Sequence, residues 1–554
     1  MSLTARIAQH VTGLTEFRAW IAAVALGTVL FLESLRLFVG YLVFVVDQSQ
    51  RFWLGATVLF VFLLPLLAIG LVRLRGSGTA IRDAAGLLVL ARLIAQFWEQ
   101  PVARVVLGAA GVVAWSWFII GVIASRRFAA AAGFILGLVL DLAIRMALTG
   151  NDLPWSPGVG AHLTLVILSL LTIALILTLP LPARPAEQRL PSALVFGGIG
   201  PVLALYILVT GNPGFAQVKT DLDLPFAGFI LLIGFVLGLA IGIVRTIALT
   251  ATGGSAMIAM RFVIFDLLIG GVALWMLWGE GDLRILGLLF AVATSVELML
   301  FSLISPGRDG RDSVRNSALA VTLGLLLLMA ILFPYYSATG SGLMLALAWV
   351  LLGAAAILNV LQTSALNDWR RWNTGDLVRP AAAALLLLFL AVGWQLVRGA
   401  SEHDTEVLRG DLTVMAYNIQ SGFSRDNVWD LEAIAKVIEG EDPDIVLLQE
   451  VSRGWLVTGS NDQLIWLADR LEMDVVWGPA STDDLWGNAI LTRGTVNSDF
   501  LIRYDSTQNL RRSAVGALIE YELGLFTSVA THLDNPSTAG REREGQLDQL
   551  LGVW

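Results

Sequence analysis

Apolar stretches of about 20 residues follow one another through residues 1–400. A helix of this length crosses the ~30 Å hydrocarbon core of a bilayer, so each stretch predicts a membrane span. We place thirteen spans, at 20–46, 52–73, 81–98, 101–124, 128–149, 159–182, 191–211, 226–248, 258–279, 283–305, 315–337, 342–364 and 379–398. Residues 1–398 are therefore predicted to form a polytopic, all-α membrane domain.

Lysine and arginine are distributed unevenly over the segments that flank these spans. If the N-terminus is cytoplasmic, seventeen of them lie on the cytoplasmic side and four, Arg51, Arg104, Lys219 and Arg284, lie on the opposite side. Basic residues near span ends are retained in the cytoplasm. The bias predicts a cytoplasmic N-terminus and, after an odd number of spans, an extracytoplasmic C-terminal domain.

Ionisable residues also occur within the predicted spans, where they need either a partner or a function. They include Glu33, Arg36, Asp141, Arg145, Asp266 and Glu297. The first four form two oppositely charged pairs spaced three and four residues apart, so each pair is predicted to neutralise itself on one helix face. The last two have no such neighbour, which leaves open a polar cavity for a lipid headgroup or a proton path.

Composition divides the chain at the end of the last span. The mean hydropathy is +0.75 and only 14% of residues are charged, which is typical of a membrane protein. Residues 1–400 carry a net charge of +7 and residues 401–554 carry −15, so the two parts have different surroundings. Because cysteine is absent, a disulfide framework, a thiolate metal site and a cysteine nucleophile are all excluded.

A different pattern begins after a polar linker at residues 399–411. Short buried strands are predicted at 412–417, 444–448, 488–491 and 525–530, with an amphipathic helix at 431–439. Polar residues recur at the strand ends, namely Asn418, Gln449, Glu450, Asn488, His532 and Asp534. Side chains at neighbouring strand ends are held rigidly and can converge on one ligand.

Three of these residue types suit metal-assisted phosphate chemistry. Glu450 offers carboxylate oxygens to Mg²⁺, which keeps several waters and takes a substrate phosphate as a further ligand. Asn418 can hydrogen-bond a phosphate or the metal shell without adding charge, and His532 can donate to a phosphate oxygen as charge builds up in the transition state. Taken singly, each also fits an ordinary role, as a turn residue, a solvated charge or a surface histidine.

Four segments resemble consecutive motifs of the endonuclease/exonuclease/phosphatase superfamily. They are 415–422 (MAYNIQSG), 444–450 (DIVLLQE), 487–491 (GNAIL) and 531–534 (THLD), and their order and spacing both match. The resemblance covers residues 412–554 and implies the N-terminal part of a two-sheet αββα sandwich. It also implies hydrolysis of a phosphoester by in-line attack of water, assisted by Mg²⁺ or Mn²⁺.

The resemblance also implies roles for individual residues. Carried over by motif, Asn418, Glu450 and His532 are the catalytic residues, and Glu450 and Asn418 are the metal ligands. Gln449, Asn488 and Asp534 bind the substrate or support the catalytic groups.

The superfamily pattern continues with a Gly-Asp-x-Asn motif and a closing Asp-His pair, which would supply the general base. Neither is present in residues 412–554. We therefore expect this chain to hold only part of the domain and to lack activity as it stands.

Three functions are compatible with this sequence. The first is a membrane-anchored, metal-dependent phosphodiesterase or phosphohydrolase acting outside the cytoplasm on a lipid-linked phosphoester, because a short linker keeps the site near the headgroups. This layout is similar to that of eukaryotic proteins that remodel the lipid of glycosylphosphatidylinositol anchors. A nuclease is disfavoured, since a domain at −15 repels a polyanion. The third is a transporter or scaffold with a non-catalytic hydrolase remnant.

Overall fold

The computed structural model describes residues 3–46, 50–156, 158–180, 193–251, 255–279, 281–303, 314–336, 340–364, 375–398, 405–505, 511–534 and 540–553. Linker residues 399–404 lie outside them, as do six arginines that contribute to the predicted orientation, namely Arg184, Arg189, Arg308, Arg311, Arg370 and Arg371. The described part consists of a helical region followed by a domain with two sheets, which confirms the predicted fold class.

The helical region contains fourteen described α-helices. They are α1 (Leu3–Val45), α2 (Arg51–Leu63), α3 (Ala68–Arg75), α4 (Ser77–Phe97), α5 (Pro101–Ala147), α6 (Val159–Thr178), α7 (Ile199–Leu205), α8 (Pro213–Thr220), α9 (Leu224–Ala251), α10 (Ala256–Met276), α11 (Leu283–Leu303), α12 (Val314–Tyr335), α13 (Ser341–Ser364) and α14 (Gly375–Arg398). A 3₁₀ turn at Leu64–Leu67, which contains Pro65, joins α2 to α3 within one span.

Ten of the described helices are long and apolar enough to cross a membrane, or eleven if one bent pair is counted as a single span. The count of thirteen spans is therefore not confirmed. The differences fall in three places. The predicted span at 81–98 is α4, which carries three charged side chains, and the span at 191–211 falls in the bent pair Phe196–Thr210 and Pro213–Thr220. The spans at 101–124 and 128–149 merge in α5.

Helix α5 turns back on itself. Its 47 residues would extend ~70 Å as a straight helix, more than twice the thickness of the bilayer core. The backbone leaves helical geometry at Arg126, where φ is −145° and ψ is 62°. Near the start of α5, Arg104 donates to the hydroxyl of Tyr41, and the Tyr41 ring packs on Phe423 of the C-terminal domain. Near the end of α5, Arg145 donates to the backbone oxygen of Ser460 in the same domain. Both ends of α5 therefore lie at the same face of the bundle.

The buried ion pairs of the membrane domain join different helices, so the predicted pairing within helices is wrong. Glu33 on α1 accepts a hydrogen bond from Arg92 on α4 at 2.6 Å, instead of pairing with Arg36. The reason is geometric, because packed helix axes lie only 8–10 Å apart and a long guanidinium reaches the opposing helix directly.

Arg36 is the centre of the largest of these buried networks. Its guanidinium donates to both carboxylate oxygens of Asp141, at 2.7 and 2.6 Å, and to Asp152 at 3.0 Å. The Tyr206 hydroxyl donates to the same Asp141 carboxylate at 2.6 Å. Arg36 of α1 thus neutralises Asp141. Arg145, the predicted partner of Asp141, makes a different contact, which is described below.

Asp266 and Glu297 share one partner on a neighbouring helix. Arg245 near the end of α9 donates to Asp266 on α10 at 2.6 Å and to Glu297 on α11 at 2.5 Å. One guanidinium therefore holds three helices together, which gives both carboxylates a structural role.

The C-terminal domain begins with strands that alternate with helices. Its elements are β1 (Val414–Asn418), α15 (Leu431–Glu441), β2 (Ile445–Ser452), α16 (Gln463–Leu471), β3 (Asp474–Pro479), β4 (Trp486–Thr492), β5 (Val496–Arg503), β6 (Ser513–Tyr521), β7 (Gly524–Thr531) and α17 (Gly540–Val553). One sheet has the order β1-β2-β4-β3, with β1 parallel to β2 and the other pairs antiparallel, and the second is the antiparallel sheet β5-β6-β7.

The two sheets pack face to face over a shared apolar core. Buried side chains from both sheets form this core, among them Ile445, Ile490, Val515 and Ile519. Leu408 joins them, so part of the predicted linker belongs to the packed domain. Helices α15 and α16 cover the opposite face of the first sheet. This layering brings the ends of β2 and β7 to one edge of the sandwich.

Two loops of this domain dock on the membrane domain. The first is 453–462, after β2, and the second is 481–485, between β3 and β4. Their polar contacts are Arg145 to Ser460 at 2.5 Å, Asp152 to Asn461 at 3.1 Å, Asn212 to Gly454 at 3.0 Å, Gln217 to Asp462 at 3.1 Å, Tyr335 to Asp483 at 3.0 Å and Lys219 to Asp484 at 2.6 Å. We call these contacts the docking interface.

Candidate functional site

Glu450 lies at an irregularity near the end of β2. The pairing of β2 with β4 shifts between Leu448 and Val451, and Glu450 has a φ of +60°. A left-handed backbone at a residue other than glycine is strained and is often found at functional sites. The Ser421 hydroxyl donates to the backbone oxygen of Glu450 at 3.2 Å, and the Glu450 side chain is 28% exposed. The bulge therefore presents an accessible carboxylate from a backbone position that the Ser421 hydroxyl helps to fix.

His532 faces this carboxylate from the end of β7. Its Nε2 lies 3.8 Å from Oε1 of Glu450, and its Nδ1 lies 3.0 Å from Nη1 of Arg512. Since a guanidinium can only donate, Nδ1 is the acceptor and the ring hydrogen is on Nε2. Burial and the charge of Arg512 lower the pKa of His532 to about 4, so the imidazole is neutral near pH 7. Nε2 can then donate toward a ligand beside Glu450.

Arg512 is a further candidate site residue, and none of the predicted motifs contains it. It is 7% exposed, its Nε lies 3.5 Å from Asp534, and its guanidinium lies 5.6 Å from the centre of the Trp486 ring. Burial lowers the pKa of Arg512, against the opposing effects of Glu450 and Asp534. A signal was present in the sequence. Arg512 directly precedes β6 and His532 directly follows β7, so a hairpin brings the two together.

Asp534 is buried behind this cluster. Its carboxylate accepts from Gln546 of α17 at 2.7 Å, and its backbone N–H donates to the same amide at 3.0 Å. Asp534 therefore ties α17 to the residues that follow β7 and lies beside Arg512. This position suits the supporting role predicted for it.

Asn488 and Gln449 have partners within the sheets. Asn488 is 2% exposed and donates to the backbone oxygen of Ser513 at 2.8 Å, so it holds the start of β6, next to Arg512. Gln449 donates to the backbone oxygen of Leu447, two residues earlier in its own strand, at 3.0 Å. A supporting role for both residues stays a prediction.

Asn418 shares the sheet edge with Glu450. Its Cα is paired with that of Gln449 across β1 and β2, one position from Glu450. The side-chain oxygen of Asn418 accepts from the backbone N–H of Gln420 at 2.9 Å. Asn418 lines a cavity of about 470 Å³ against α15, and Glu450 lines a second cavity. The structure thus brings Glu450 and His532 together, with Asp534 behind them and Asn418 on the neighbouring strand, and the metal-binding role of Asn418 stays a prediction.

The donor set suits a cation that takes few ligands from the protein. Within the described ranges, no group of three or more His, Cys, Asp or Glu residues could hold a metal ion. Mg²⁺ is commonly bound by one or two carboxylates while waters and a substrate phosphate complete its shell. Glu450 fits this pattern as a single accessible carboxylate, and it would hold the ion where His532 reaches the phosphate.

The cavity that Glu450 lines is mostly apolar and extends into the membrane domain. It has a volume of about 290 Å³. Ser421, Glu450, Trp455 and Trp486 form its wall on the C-terminal domain, and residues of α1, α2 and α12 form the other walls. The candidate site therefore opens onto membrane-spanning helices.

Fold and site together define a polytopic membrane protein with a two-sheet α/β domain at its C-terminal end. Residues 415–553 match the model of the Endonuclease/Exonuclease/phosphatase family, which confirms the predicted resemblance of the C-terminal domain.

Several solved structures are similar to parts of the chain. An endonuclease/exonuclease/phosphatase from Beutenbergia cavernae DSM 12333 is 28% identical, with a TM-score of 0.21, over 26% of this chain and 43% of that protein. The chain thus spans less than half the length of this relative. A D-xylose-proton symporter is 16% identical, with a TM-score of 0.38, over 62% of this chain and 96% of that protein. The nucleoside transporter NupG is 13% identical, with a TM-score of 0.34, over 63% and 99%.

At these TM-scores the transporter similarities establish no common fold. Among curated proteins, none matches the chain.

Proposed function

We propose that this protein is a membrane-anchored, metal-dependent phosphodiesterase or phosphohydrolase that acts on a lipid-linked phosphoester. The observation that carries the proposal is the continuity of one cavity, which has Glu450 at one end and side chains of membrane-spanning helices along its length. A substrate with its phosphate near Glu450 would therefore extend an apolar group between the membrane-spanning helices. A phosphorylated lipid has both the phosphate and the apolar group.

The chemistry assigned to the site follows from its geometry. Glu450 holds Mg²⁺ or Mn²⁺, which supplies Lewis-acid stabilisation of the phosphoryl oxygens when bound. His532 donates from Nε2 to a phosphate oxygen, and Arg512 fixes the tautomer that makes this possible. Asn418 would contribute only if its side chain turned from Gln420 toward Glu450.

A lipid substrate is favoured over a nucleic acid for two reasons. Residues 401–554 carry a net charge of −15, which opposes the approach of a polyanion. The walls of the Glu450 cavity are also mostly apolar on the membrane side, where Arg51 is the one cation among the described lining residues that could replace a counterion of a nucleic acid backbone. A non-catalytic scaffold or transporter remains the alternative that an absence of hydrolysis would support.

The docking interface lies at one face of the bundle, and we propose that this face is extracytoplasmic, with the N-terminus in the cytoplasm. Support comes from the basic residues, four against seventeen across the predicted loops. Protease added to intact cells should then cleave within the C-terminal domain. Complete protection there, with cleavage after permeabilisation, would overturn the orientation.

The function is tested with the full-length gene product in phosphatidylcholine vesicles that contain phosphatidylinositol or phosphatidic acid. We expect release of phosphate or a phosphorylated headgroup that requires Mg²⁺ or Mn²⁺ and stops with EDTA. Single-stranded and double-stranded DNA serve as the competing substrates. Hydrolysis of DNA without hydrolysis of either lipid would refute the lipid assignment, and hydrolysis of nothing would support the scaffold.

A further inference from the structure

We infer that the cavity beside Glu450 is a binding site for one acyl chain of the phospholipid substrate, an inference that rests on the proposed function. The chain lies between α1, α2 and α12 while its phosphate lies at Glu450. We call this cavity the acyl groove.

The walls of the acyl groove follow helical periodicity. Helix α2 contributes Leu54, Val58 and Phe62, which are spaced four residues apart and so share one face. The opposite face of α2 points out of the bundle, since Phe52 and Phe60 are 75% and 64% exposed. Helix α2 therefore separates the groove from the surrounding lipid, with one apolar face toward each.

The other two walls have the same character and the same depth. Helix α1 lines the groove from Leu35 to Phe44, and α12 lines it from Leu328 to Tyr336. At 1.5 Å per residue these stretches extend roughly 12 to 14 Å along the helices. This is about half of the ~30 Å hydrocarbon core, the depth of one leaflet. A groove of one-leaflet depth fits the acyl chain of a lipid that stays in its own leaflet.

The polar residues of the groove are Ser421, Glu450 and Thr458 of the C-terminal domain, Tyr336, which contacts that domain at Leu456, and Arg51, the first residue of α2. Glu450 and Arg51 are the charged residues among them. A phosphate between these two residues would meet a metal held by Glu450 and the positive charge of Arg51, whose cation would favour an anionic headgroup. The groove thus has a mostly apolar lining that includes Glu450 and Arg51, which matches the polarity of a phospholipid.

The experiment measures binding separately from hydrolysis. Protein in phosphatidylcholine vesicles is photolabelled with phosphatidic acid that carries a diazirine in the middle of one acyl chain, and the labelled residues are mapped by mass spectrometry. We expect label on groove residues such as Leu54 and Met329. Val58→Trp should fill the groove and reduce this labelling at least ~10-fold. Leu59→Trp, its outward-facing neighbour at 41% exposure, should leave it unchanged.

Two further arms make the result decisive. Diacylglycerol with the same diazirine lacks the phosphate and should label the groove less than phosphatidic acid does. Equal labelling of groove residues in both tryptophan variants, or label confined to outward residues such as Phe60, would overturn the inference. The mapping on wild-type protein remains informative if Val58→Trp fails to fold.

Failure of the inference can be told apart from failure of the proposed function. Groove labelling without hydrolysis of any phospholipid refutes the enzymatic proposal and keeps the binding site. Hydrolysis of phosphatidic acid that survives in Val58→Trp keeps the enzymatic proposal and refutes the groove.

Discussion

Arg145 Nη2 donates to the backbone oxygen of Ser460 at 2.5 Å, which joins the end of a membrane helix to the loop that follows β2. The same guanidinium donates from Nη1 to the backbone oxygen of Gly211, so one side chain binds both α5 and the turn before α8 to the C-terminal domain. Arg145 is 1% exposed. This buried cation therefore fixes the C-terminal domain to the membrane domain through directed hydrogen bonds. Through Ser460 it also holds the loop that follows β2, and so follows Glu450, against the membrane domain.

Replacing the candidate metal ligand should abolish metal-dependent hydrolysis. Glu450→Gln keeps the shape of the side chain and removes its charge, so we expect the rate to fall by about 10³-fold with the melting temperature little changed. The measurement is phosphate release against Mg²⁺ concentration by the full-length protein. Glu441→Gln, at an exposed position on the same domain, serves as the control. Wild-type activity in Glu450→Gln would refute the metal assignment.

Arg512 should act by orienting His532. Arg512→Met removes the donor to Nδ1, so the imidazole is no longer held as the Nε2–H tautomer, and we expect hydrolysis to fall by about 10²-fold. Arg512→Lys should recover part of this loss, because an ammonium can also donate to Nδ1. The adjacent Arg511 is exposed, and Arg511→Met should have no effect. Equal losses for methionine and lysine at position 512 would indicate a structural role only.

The buried ion network around Arg36 should be essential for the stability of the membrane domain. Arg36→Met leaves the carboxylates of Asp141 and Asp152 without their guanidinium, and breaking a buried pair in this way costs about 3–5 kcal/mol. Thermal unfolding in detergent measures the loss. Arg75 pairs with Asp83 at the surface, where both side chains are at least 40% exposed, so Arg75→Met should cost about 0–1 kcal/mol. Similar losses in the two variants would argue against the network.

The docking interface should weaken only in strong acid. Burial alone would raise the pKa of Asp484, but Lys219 and Arg503 lower it below the usual value, which is about 3.9. A lowered carboxyl pKa contributes stability that is complete above the unfolded pKa and is lost as the pH falls through the folded pKa. Hydrogen exchange of residues 481–485 should therefore stay slow from pH 7 to about 5 and accelerate below about 4.

The partner of Asp484 sets where this transition lies. In Lys219→Met the partly exposed carboxylate of Asp484 keeps only Arg503, so its pKa rises and the faster exchange should begin at a higher pH. Arg493→Met disrupts an exposed pair with Asp442 and should leave the transition where it is. A transition at the same pH in Lys219→Met and wild type would contradict this account.

Several features of the protein could be predicted from local pattern. Apolar stretches of bilayer length identify membrane helices, because the hydrocarbon core offers no hydrogen-bond partner to backbone N–H and C=O groups and a helix pairs these groups internally. The motifs around Glu450 and His532 identify the resemblance of the C-terminal domain, because each motif is short and the motifs follow one another in a fixed order. Both kinds of inference depend on short segments and their order along the chain.

Partners that are distant in sequence could not be predicted in this way. Arg36 has a carboxylate three residues away and yet binds Asp141, 105 residues along the chain. Asn418 belongs to the same motif set as Glu450, but the motif does not indicate that its side-chain oxygen accepts from the backbone N–H of Gln420.

The sequence by itself determined the apolar helices, the change of charge after the last span and the family of the C-terminal domain, because these depend on composition and on short-range order. Only the tertiary structure decided which charges pair across the helices and that Glu450 opens onto an apolar groove between α1, α2 and α12. Those relationships depend on how helices and sheets pack, and packing places side chains together that are a hundred or more residues apart.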